Sequence, residues 1–341
     1  MQPVDASEPD GVSQSLYAAK TSIVTAIATT GMQTDEPSDQ TVLITGGAGF
    51  IGGHLATALV PDNDVRILDS LTTGRRANVP TKATLIKNDI RDTDALARAT
   101  DGVDLIFHEA ALVSVQKSIE APQQSHDINV GATLDVLEAA RTQDARVVLA
   151  SSAAIYGHPE QIPIKETDSK TPTSPYGLDK LSVDHYAKQY HDLYDLETAA
   201  LRYFNVFGPG QTAGDYSGVI SIFCEQAIND DPLTIHGDGK QRRDFVFIDD
   251  IVQANLRAAT TDHAGEAYNV GTGTSVSIRE LAETIVDVTD SNSDIVHTEG
   301  RDGDIRHSKA DITAIQTALD YEPTVSLREG LEQTVDWYHD Q

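Results

Sequence analysis

Short runs of β-branched and apolar residues alternate in this chain with longer stretches of helical character. The runs read "TVLITG", "DVRILDS", "ATLIKND", "VDLIFHEAA", "ARVVLASS" and "ETAALRYFN", and all six lie between residues 41 and 205. Between them apolar residues recur at three- and four-residue intervals, as in "INVGATLDVLEAAR", which is typical of amphipathic helices. The alternation predicts an α/β fold built on a Rossmann-like, doubly wound parallel sheet of six strands.

Glycine and proline become frequent after Asn205, in "GPGQTAGDYSG" and "DDPLTIHGDGKQRRDF". Such punctuation indicates loops, which here would cap a cleft beside the sheet. We therefore expect a dinucleotide-binding domain and a smaller α/β substrate-binding lobe. The domain would comprise residues 41–205 with about 240–275, and the lobe about 206–239 with 276–341.

Acidic residues outnumber basic ones by 53 to 25, and the formal net charge is −28. Phosphate backbones and anionic membranes would be repelled, so neither nucleic acid nor a membrane is an expected partner. Such acidity suits a protein in concentrated salt, where screening removes self-repulsion, and a halophilic source is our hypothesis. The single cysteine, Cys224, excludes an intramolecular disulfide and favours a reducing cytoplasm.

Residues 1–40 are rich in Ser, Thr, Asp, Gln and Pro, a composition typical of a disordered extension. The apolar patch in this segment, "SIVTAIATTGM", is preceded by acidic residues and is far too short to span a bilayer. We therefore predict neither a signal peptide nor a membrane anchor there.

The stretch "TGGAGFIGG" follows the first predicted strand and opens the first predicted helix. Its glycines satisfy G-x-G-x-x-G through Gly47, Gly49 and Gly52, and T-G-x-x-G-x-x-G when Gly46 replaces Gly47. Glycine lets the backbone approach a pyrophosphate closely, and the N–H groups at the start of the helix can bind it. Either pattern alone is weak, but the strand-loop-helix setting predicts a dinucleotide site.

Acidic residues close the second and third predicted strands. Asp69 lies 23 residues after Gly46, where a carboxylate accepts hydrogen bonds from an adenosine ribose and repels a 2′-phosphate. NAD is therefore preferred to NADP, although Arg75 and Arg76 follow closely and would soften that preference. Asp89 could meet the adenine edge, and a solvated loop acid is the alternative.

Tyr176 and Lys180 in "SPYGLDK" are four residues apart, so both project from one face of a helix. A phenol ionises at about pH 10 in water, and a nearby ammonium together with a bound NAD⁺ would stabilise the phenolate. We expect Tyr176 to be a general base and Lys180 to assist it.

The stretch "ASSAAIYGH" follows the fifth predicted strand, so Ser151 and Ser152 emerge at the carboxyl end of that strand, where ligands of such sheets bind. A hydroxyl there can donate a hydrogen bond to a reacting alkoxide or carbonyl oxygen. Tyr156 in the same stretch is a second candidate base, but no lysine lies four residues after it.

Eight stretches follow one another in order through the chain: "TGGAGFIG", "HEAA", "SVQKSIEAP", "SSAAIYG", "YGLDK", "RYFNVFGPGQ", "GDGKQRRDFVFIDD" and "YNVGTG". In them the chain resembles the extended short-chain dehydrogenases/reductases, specifically their nucleotide-sugar epimerase branch. The resemblance implies that Ser152 is the catalytic serine and that Tyr176 and Lys180 are the base and its helper. It also implies NAD as the cofactor, a UDP-sugar as the substrate, and a homodimer formed through helices that include the one bearing Tyr176.

The same resemblance assigns contacts to both ligands, with Asn205, Arg243 and Arg301 on the diphosphate of the sugar nucleotide. Arginine's planar fork suits phosphate oxygens in pairs, although a surface salt bridge is the ordinary role of such a residue, including the neighbouring Arg242. The predicted cofactor contacts are Gly46, Gly49, Phe50, Ile51, Gly52, Asp69, Asp89, Ile90, Ala110, Ala111, Asn129, Tyr176, Lys180 and Phe204. The predicted substrate contacts are Ser114, Ser152, Asn205, Val219, Arg243, Arg301, Asp304 and Ser308.

Related enzymes that dehydrate or decarboxylate 4-keto sugars resemble one another in an acid just before the "YG" motif, where this chain has Ala154 and Ile155. Elimination therefore lacks an acid at that place, which favours epimerisation of a UDP-hexose through a 4-keto intermediate with tightly held NAD. UDP-glucuronate 4-epimerisation and another dehydratase or dehydrogenase activity of the family are the alternatives, and dTDP stays open beside UDP. A non-catalytic NAD-binding protein is disfavoured because Ser152, Tyr176 and Lys180 are all present.

The charged stretch "GDIRHSKAD" lies near the end of the chain. By the resemblance Asp304 has a ribose-binding or loop-ordering role, and Ser308 takes the position where some 4-epimerases carry a tyrosine that closes the hexose pocket. A small side chain leaves room for an acetamido group, so UDP-N-acetylglucosamine and UDP-N-acetylgalactosamine are expected substrates beside UDP-glucose and UDP-galactose. A solvated turn before the next helix is the alternative. The spacing of the histidines predicts no metal site.

Overall fold

Parallel strands form the centre of the part of the chain that the structure, a computed structural model, describes: residues 36–212, 218–300 and 303–341. Seven strands pair in the order β11-β6-β5-β4-β1-β2-β3. In chain order the strands are β1 (Thr41–Thr45), β2 (Asp64–Asp69), β3 (Thr84–Lys87), β4 (Leu105–His108), β5 (Arg146–Ser152), β6 (Thr198–Tyr203), β7 (Asn205–Phe207), β8 (Leu233–His236), β9 (Arg242–Arg243), β10 (Phe245–Phe247), β11 (Glu266–Val270), β12 (Val276–Ser277) and β13 (Ile295–Thr298).

The predicted α/β class and parallel sheet are confirmed, and the six predicted runs are β1 to β6. The predicted count of six was wrong, because β11 adds a seventh strand beside β6, with Glu266 opposite Ala199 and Val270 opposite Tyr203. Its sequence, "EAYNV", mixes polar and small residues, so the strand is specified by pairing with β6 more than by its own propensity. The strand order reverses between β1 and β4, and ligands of such sheets bind at that crevice.

Helices cover both faces of the sheet. Apolar residues of α1 and α8 form one core with one face of the strands, and residues of α2, α5 and α6 form a second core on the other. In chain order the helices are α1 (Phe50–Leu59), α2 (Thr93–Thr100), α3 (Val115–Glu120), α4 (Pro122–His126), α5 (Ala132–Gln143), α6 (Pro175–Tyr194), α7 (Val219–Ile228), α8 (Ile248–Thr260), α9 (Ile278–Val288), α10 (Thr313–Leu319) and α11 (Leu327–His339). Within the described ranges no helix combines the length and apolar character needed to cross a membrane.

Three short strand pairs lie outside the central sheet: β7 with β10, β8 with β13, and β9 with β12. Strands β8, β12 and β13 and helices α7, α9 and α11 come from the segments predicted to form a substrate-binding lobe, whereas β9 and β10 come from the segment 240–275 assigned to the dinucleotide-binding domain. The division into two lobes stays a prediction. Of the predicted N-terminal extension, residues 1–35 lie outside the described residues. Its last residues bond to the chain before β2, where Asn63 donates to the Pro37 carbonyl at 2.8 Å and Asp39 N–H donates to the Asp62 carbonyl at 2.8 Å.

Candidate active site

The glycine-rich loop joins β1 to α1 at the crevice of the sheet. Gly46 has φ of +69°, and a Cβ atom there would lie 2.8 Å from the Ala110 backbone nitrogen, so only glycine fits without a shift. Helix α1 starts at Phe50 after Gly49, with no side chain capping it. Its first N–H groups, from Phe50 to Gly52, are therefore those that a helix leaves for an anion. This arrangement fits the pyrophosphate of a dinucleotide.

Asp69 ends β2 beside that loop, as the sequence predicts for a ribose-binding acid. One carboxylate oxygen accepts from the Ala48 N–H at 2.9 Å, and the other accepts from the Leu71 N–H at 2.7 Å. Each oxygen has two lone pairs, so the carboxylate retains capacity for a ribose hydroxyl. Asp69 thus braces the phosphate loop, and its contact with the ribose stays a prediction.

The other predicted cofactor contacts differ in their surroundings and hydrogen-bond partners. Asp89 accepts two hydrogen bonds from the exposed Arg91 side chain, at 2.9 and 2.7 Å, and that pair lowers the pKa of the Asp89 carboxyl; this favours the solvated loop acid over the adenine contact. The next residue, Ile90, is buried in the core. The amide of Asn129 is committed to both backbone groups of Leu112, at 2.8 and 3.1 Å, so it holds the loop after β4 that contains Ala110 and Ala111.

Tyr176, Lys180 and Ser152 meet at the carboxyl end of β5. Helix α6 starts at Pro175, and the Ser174 hydroxyl caps it by accepting from the Gly177 N–H at 3.1 Å. One turn after Tyr176, the buried Lys180 ammonium donates to the Ala150 carbonyl of β5 at 2.7 Å. Ser152 is the last residue of β5, and its hydroxyl accepts from the Ala154 N–H at 3.2 Å.

Burial dominates the proton affinities of this pair. It raises the pKa of the Tyr176 phenol, and the adjacent Ser152 hydroxyl opposes that rise. It lowers the pKa of the Lys180 ammonium, against the charge of Glu109. The protein alone therefore does not bring the phenol toward neutrality. That bound NAD⁺ lowers the pKa of the Tyr176 phenol stays a prediction.

The surroundings of Tyr156, the second candidate base from the sequence, favour Tyr176 instead. Its hydroxyl is buried, donates to Asn269 Oδ1 at 2.6 Å and accepts from Arg202 Nη1 at 2.9 Å. Burial raises its pKa well above the usual range. Tyr156 therefore has a structural hydrogen-bonding role.

A buried ion pair holds α6 against the sheet. Arg202 of β6 donates to Asp184 of α6 through Nε at 2.9 Å and Nη2 at 2.7 Å, and each side chain is 5% exposed. The Ser151 hydroxyl, next to Ser152, also donates to Asp184, at 2.9 Å. Because Asp184 lies one helical turn after Lys180 and two after Tyr176, this network fixes the position of the helix face that carries both.

Two of the three predicted diphosphate contacts, Asn205 and Arg243, lie at or beside β9. Arg243 donates to Asp304 Oδ1 and to the Ile305 carbonyl, both at 2.5 Å, while Asn205 donates to the Asp244 carbonyl at 2.8 Å. Arg242 instead binds the Ser275 carbonyl at 2.5 Å and Glu280 at 3.2 Å, which is the structural salt-bridge role. Asp304 is thus an ion-pair partner of Arg243, and Arg301 lies outside the described residues.

Four further predicted contacts make their observed contacts within the protein. Ser308 is 9% exposed, and its N–H donates to the Arg242 carbonyl at 3.0 Å, so it lies beside β9 and is not in a solvated turn. Ser114 caps α3, Val219 starts α7, and Phe204 packs with Ile155 and Ala310.

Glu109 was not identified as a site residue, although it lies in the quoted "HEAA" motif. It directly follows β4, and its carboxylate accepts from the Tyr203 hydroxyl at 2.9 Å. Burial raises its pKa, and the charge of Lys180 opposes that rise. A charged residue directly after a fully buried strand was the available signal, since that is where such sheets carry ligands.

Known proteins share this fold and are similar in sequence. The sequence model of the NAD dependent epimerase/dehydratase family matches residues 42–271. The chain is 35% identical over 308 residues to a UDP-glucose 4-epimerase of Mycolicibacterium smegmatis, covering 88% of this chain and 98% of the relative. It superposes with a TM-score of 0.86 and 38% identity on a UDP-N-acetylglucosamine 4-epimerase from Methanobrevibacter ruminantium in complex with UDP-N-acetylmuramic acid, covering 89% and 100% of the two chains.

Activities differ among the matched proteins. A UDP-N-acetyl-alpha-D-glucosaminuronate decarboxylase of Bacillus cytotoxicus is 32% identical over 318 residues, covering 87% of this chain and 97% of the relative. A UDP-glucose 4-epimerase structure from Thermus thermophilus was solved with NAD. The phosphate loop, Asp69 and the Tyr176–Lys180 pair fit that cofactor, and the chain belongs to the NAD-dependent epimerase/dehydratase family.

Proposed function

We propose that this protein is a nucleotide-sugar 4-epimerase that acts on UDP-hexoses. The observation that carries the proposal is the meeting of Tyr176, Lys180 and Ser152 at the end of β5, with no acid at Ala154 or Ile155. Catalysis of oxidation needs a base for the hydroxyl proton, whereas elimination also needs an acid or base for the neighbouring carbon. The 4-epimerases among the matched proteins support the same reaction.

Each of the three side chains has a distinct task in the proposed reaction. Tyr176 takes the proton of the sugar 4-hydroxyl, and Ser152 donates a hydrogen bond to the same oxygen. Lys180 supplies positive charge that favours the phenolate. NAD⁺, when bound, supplies the acceptor for the C4 hydride and its return. Because Tyr176 returns that proton to the sugar oxygen in the reverse step, the cycle consumes nothing and suits tightly held NAD.

Anchoring of the diphosphate would allow the 4-keto sugar to turn, so that the hydride returns to its opposite face. Arg243 is partly buried and already aligned by Asp304 and the Ile305 carbonyl, so its fork is oriented before the ligand arrives. A fixed UDP would let the 4-keto sugar rotate about the diphosphate. Arg301 completes this anchor in our proposal.

We further propose that N-acetylated UDP-hexoses are substrates. The support is the small side chain of Ser308, which lies next to Arg242 and Arg243 in the strand-like segment after Asp304. UDP-glucuronate epimerisation is the runner-up within the same reaction class, and decarboxylation is the alternative among the relatives.

One panel tests the reaction class. UDP-glucose, UDP-galactose, their N-acetylated counterparts and UDP-glucuronate are each incubated with the protein, and products are separated and weighed by mass spectrometry. The proposal expects 4-epimers of unchanged mass, with UDP-N-acetylglucosamine among the converted substrates. Loss of carbon dioxide or water from any of them would overturn it.

We also propose that the protein forms a homodimer. Large apolar side chains are exposed on α3 and α6, with Val115, Ile119 and Leu178 45–56% exposed, and covering this patch supports a homodimer. Leu178→Glu should then give a monomer in light scattering, whereas a monomeric parent protein would overturn the dimer.

We also propose that the protein works in a reducing cytoplasm. The support is its single cysteine, Cys224, which is buried and free.

A further inference from the structure

Glu109 lies where the phosphate loop and the catalytic helix approach the sheet. Its N–H donates to the Thr45 carbonyl at 3.2 Å, and a Cβ atom on Gly46 would lie 3.0 Å from the Glu109 carbonyl carbon. The register that pairs His108 with Leu149 puts Glu109 opposite Ala150, whose carbonyl binds the Lys180 ammonium at 2.7 Å. Glu109 and Lys180 therefore share one site at the ends of β4 and β5.

The Glu109 carboxylate is held in place from the far side. The Tyr203 hydroxyl donates to it at 2.9 Å and itself accepts from the Asn255 amide of α8 at 2.8 Å. A hydrogen bond from a phenol stabilises the ionised carboxylate over the acid, and Tyr203 lowers the pKa of Glu109 in this way. The contact favours a negative charge near Lys180.

Lys180 needs a negative charge nearby to stay protonated. The side chain is 5% exposed, and its hydrogen bond at Ala150 goes to a neutral carbonyl. A buried ammonium without a counter-ion loses its proton. The neighbouring Asp179 also favours the ammonium, but its carboxylate is already bound by the Ser125 hydroxyl at 2.6 Å and by His126 Nδ1 at 3.1 Å, both from α4.

We propose that Glu109 is a positioning residue whose carboxylate is the counter-ion that keeps Lys180 protonated beside Tyr176. The titratable and charged groups around this pair are His108 of β4, Tyr176 and Asp179 of α6, and Tyr203 of β6. His108 is neutral, because burial and Lys180 lower its pKa to about 3. That Glu109 keeps Lys180 protonated does not depend on the proposed function. Only the use of that positive charge, which is to favour the Tyr176 phenolate, rests on the proposed function.

Loss of the Glu109 charge should change the pKa of Lys180 in one direction. The Glu109 carboxylate is present above its own raised pKa, and the Lys180 ammonium is lost as pH rises through its lowered pKa. Removing the Glu109 charge lowers the pKa of Lys180 further. The ammonium would then be lost at a lower pH, and the alkaline limit of turnover would move down with it.

Glu109→Gln tests this directly, because glutamine keeps the acceptor for Tyr203 and removes the charge. The NAD-loaded protein is prepared with ¹³C-labelled lysine, its NMR signals are followed against pH, and Lys180 is assigned as the signal missing from Lys180→Arg. We expect the Lys180 midpoint in Glu109→Gln to fall by about one pH unit, a tenfold loss of proton affinity. An unchanged midpoint in a folded variant would overturn the proposal.

Two further variants keep the test decisive. Tyr203→Phe removes the hydrogen bond that favours the carboxylate, so a smaller fall of the Lys180 midpoint is expected even if Glu109→Gln does not fold, and no fall would count against the proposal. Tyr190→Phe is the matched control. It also removes a hydrogen bond from a phenol to a carboxylate, here from Tyr190 of α6 to Glu138 of α5 at 2.7 Å, and it should leave the Lys180 midpoint unchanged. The NMR readout needs no turnover, so failure of epimerisation would sink the proposed function without touching this result.

Discussion

Tyr176 is the residue whose substitution should cost the reaction most. Tyr176→Phe keeps the ring and its packing at the start of α6 but removes the group that takes the 4-hydroxyl proton. General acid–base groups contribute about 10²–10⁴ in rate, so kcat should fall by at least about a hundredfold while bound NAD, released by denaturation and quantified, stays unchanged. Tyr194→Phe, at the half-exposed end of the same helix, is the control. Full turnover of Tyr176→Phe would contradict the assignment.

Ser308 is the residue that we expect to discriminate between sugars. A tyrosine there would fill space near the sugar ring, and the clash would be larger with an acetamido group than with a hydroxyl. Ser308→Tyr should therefore reduce kcat/KM for UDP-N-acetylglucosamine by about tenfold or more relative to that for UDP-glucose. Ser308→Thr adds only a methyl and should leave the ratio near that of the parent. Equal losses on both substrates would show that Ser308 does not gate size.

At the scale of elements, the Arg202–Asp184 pair joins the catalytic helix α6 to β6. Removing one partner of a buried pair costs about 3–5 kcal/mol, so Asp184→Asn should lower the melting temperature markedly and also reduce kcat, since Ser151 and α6 lose their common anchor. The control is Glu283→Gln, in the exposed Arg279–Glu283 pair of α9, which should cost about 0.5 kcal/mol or less. Similar small losses in both variants would mean that the buried pair does not hold α6.

Elements and motifs encoded by local pattern were predictable from the sequence, whereas pairings across the fold were not. The six runs became β1 to β6 because apolar residues bury the central strands, whereas the edge strand β3 is at most half-buried, and the glycine spacing indicated the phosphate loop. Strand β11 was missed because its partner, β6, lies more than sixty residues earlier. Glu109 was missed for the same reason, since its role depends on Tyr203 and Lys180 approaching from distant elements.

At the scale of the whole molecule, the charge of −28 should make stability depend on salt. Repulsion between surface carboxylates acts over about 10 Å at 0.1 M salt and about 3 Å at 1 M. We expect the melting temperature to rise by several degrees between these concentrations of potassium chloride. Sucrose at matched osmolality, which stabilises without screening charge, should give a smaller rise. A melting temperature that did not change with salt would contradict the halophilic proposal.

Return of the same hydride to the same carbon is the central feature of the proposed reaction. The most direct measurement uses UDP-N-acetylglucosamine that carries deuterium at C4, incubated with the protein in ordinary water without added NAD. We predict UDP-N-acetylgalactosamine of unchanged mass that retains the deuterium at C4. Loss of the deuterium to water, or a product of lower mass, would contradict epimerisation through Tyr176 and bound NAD.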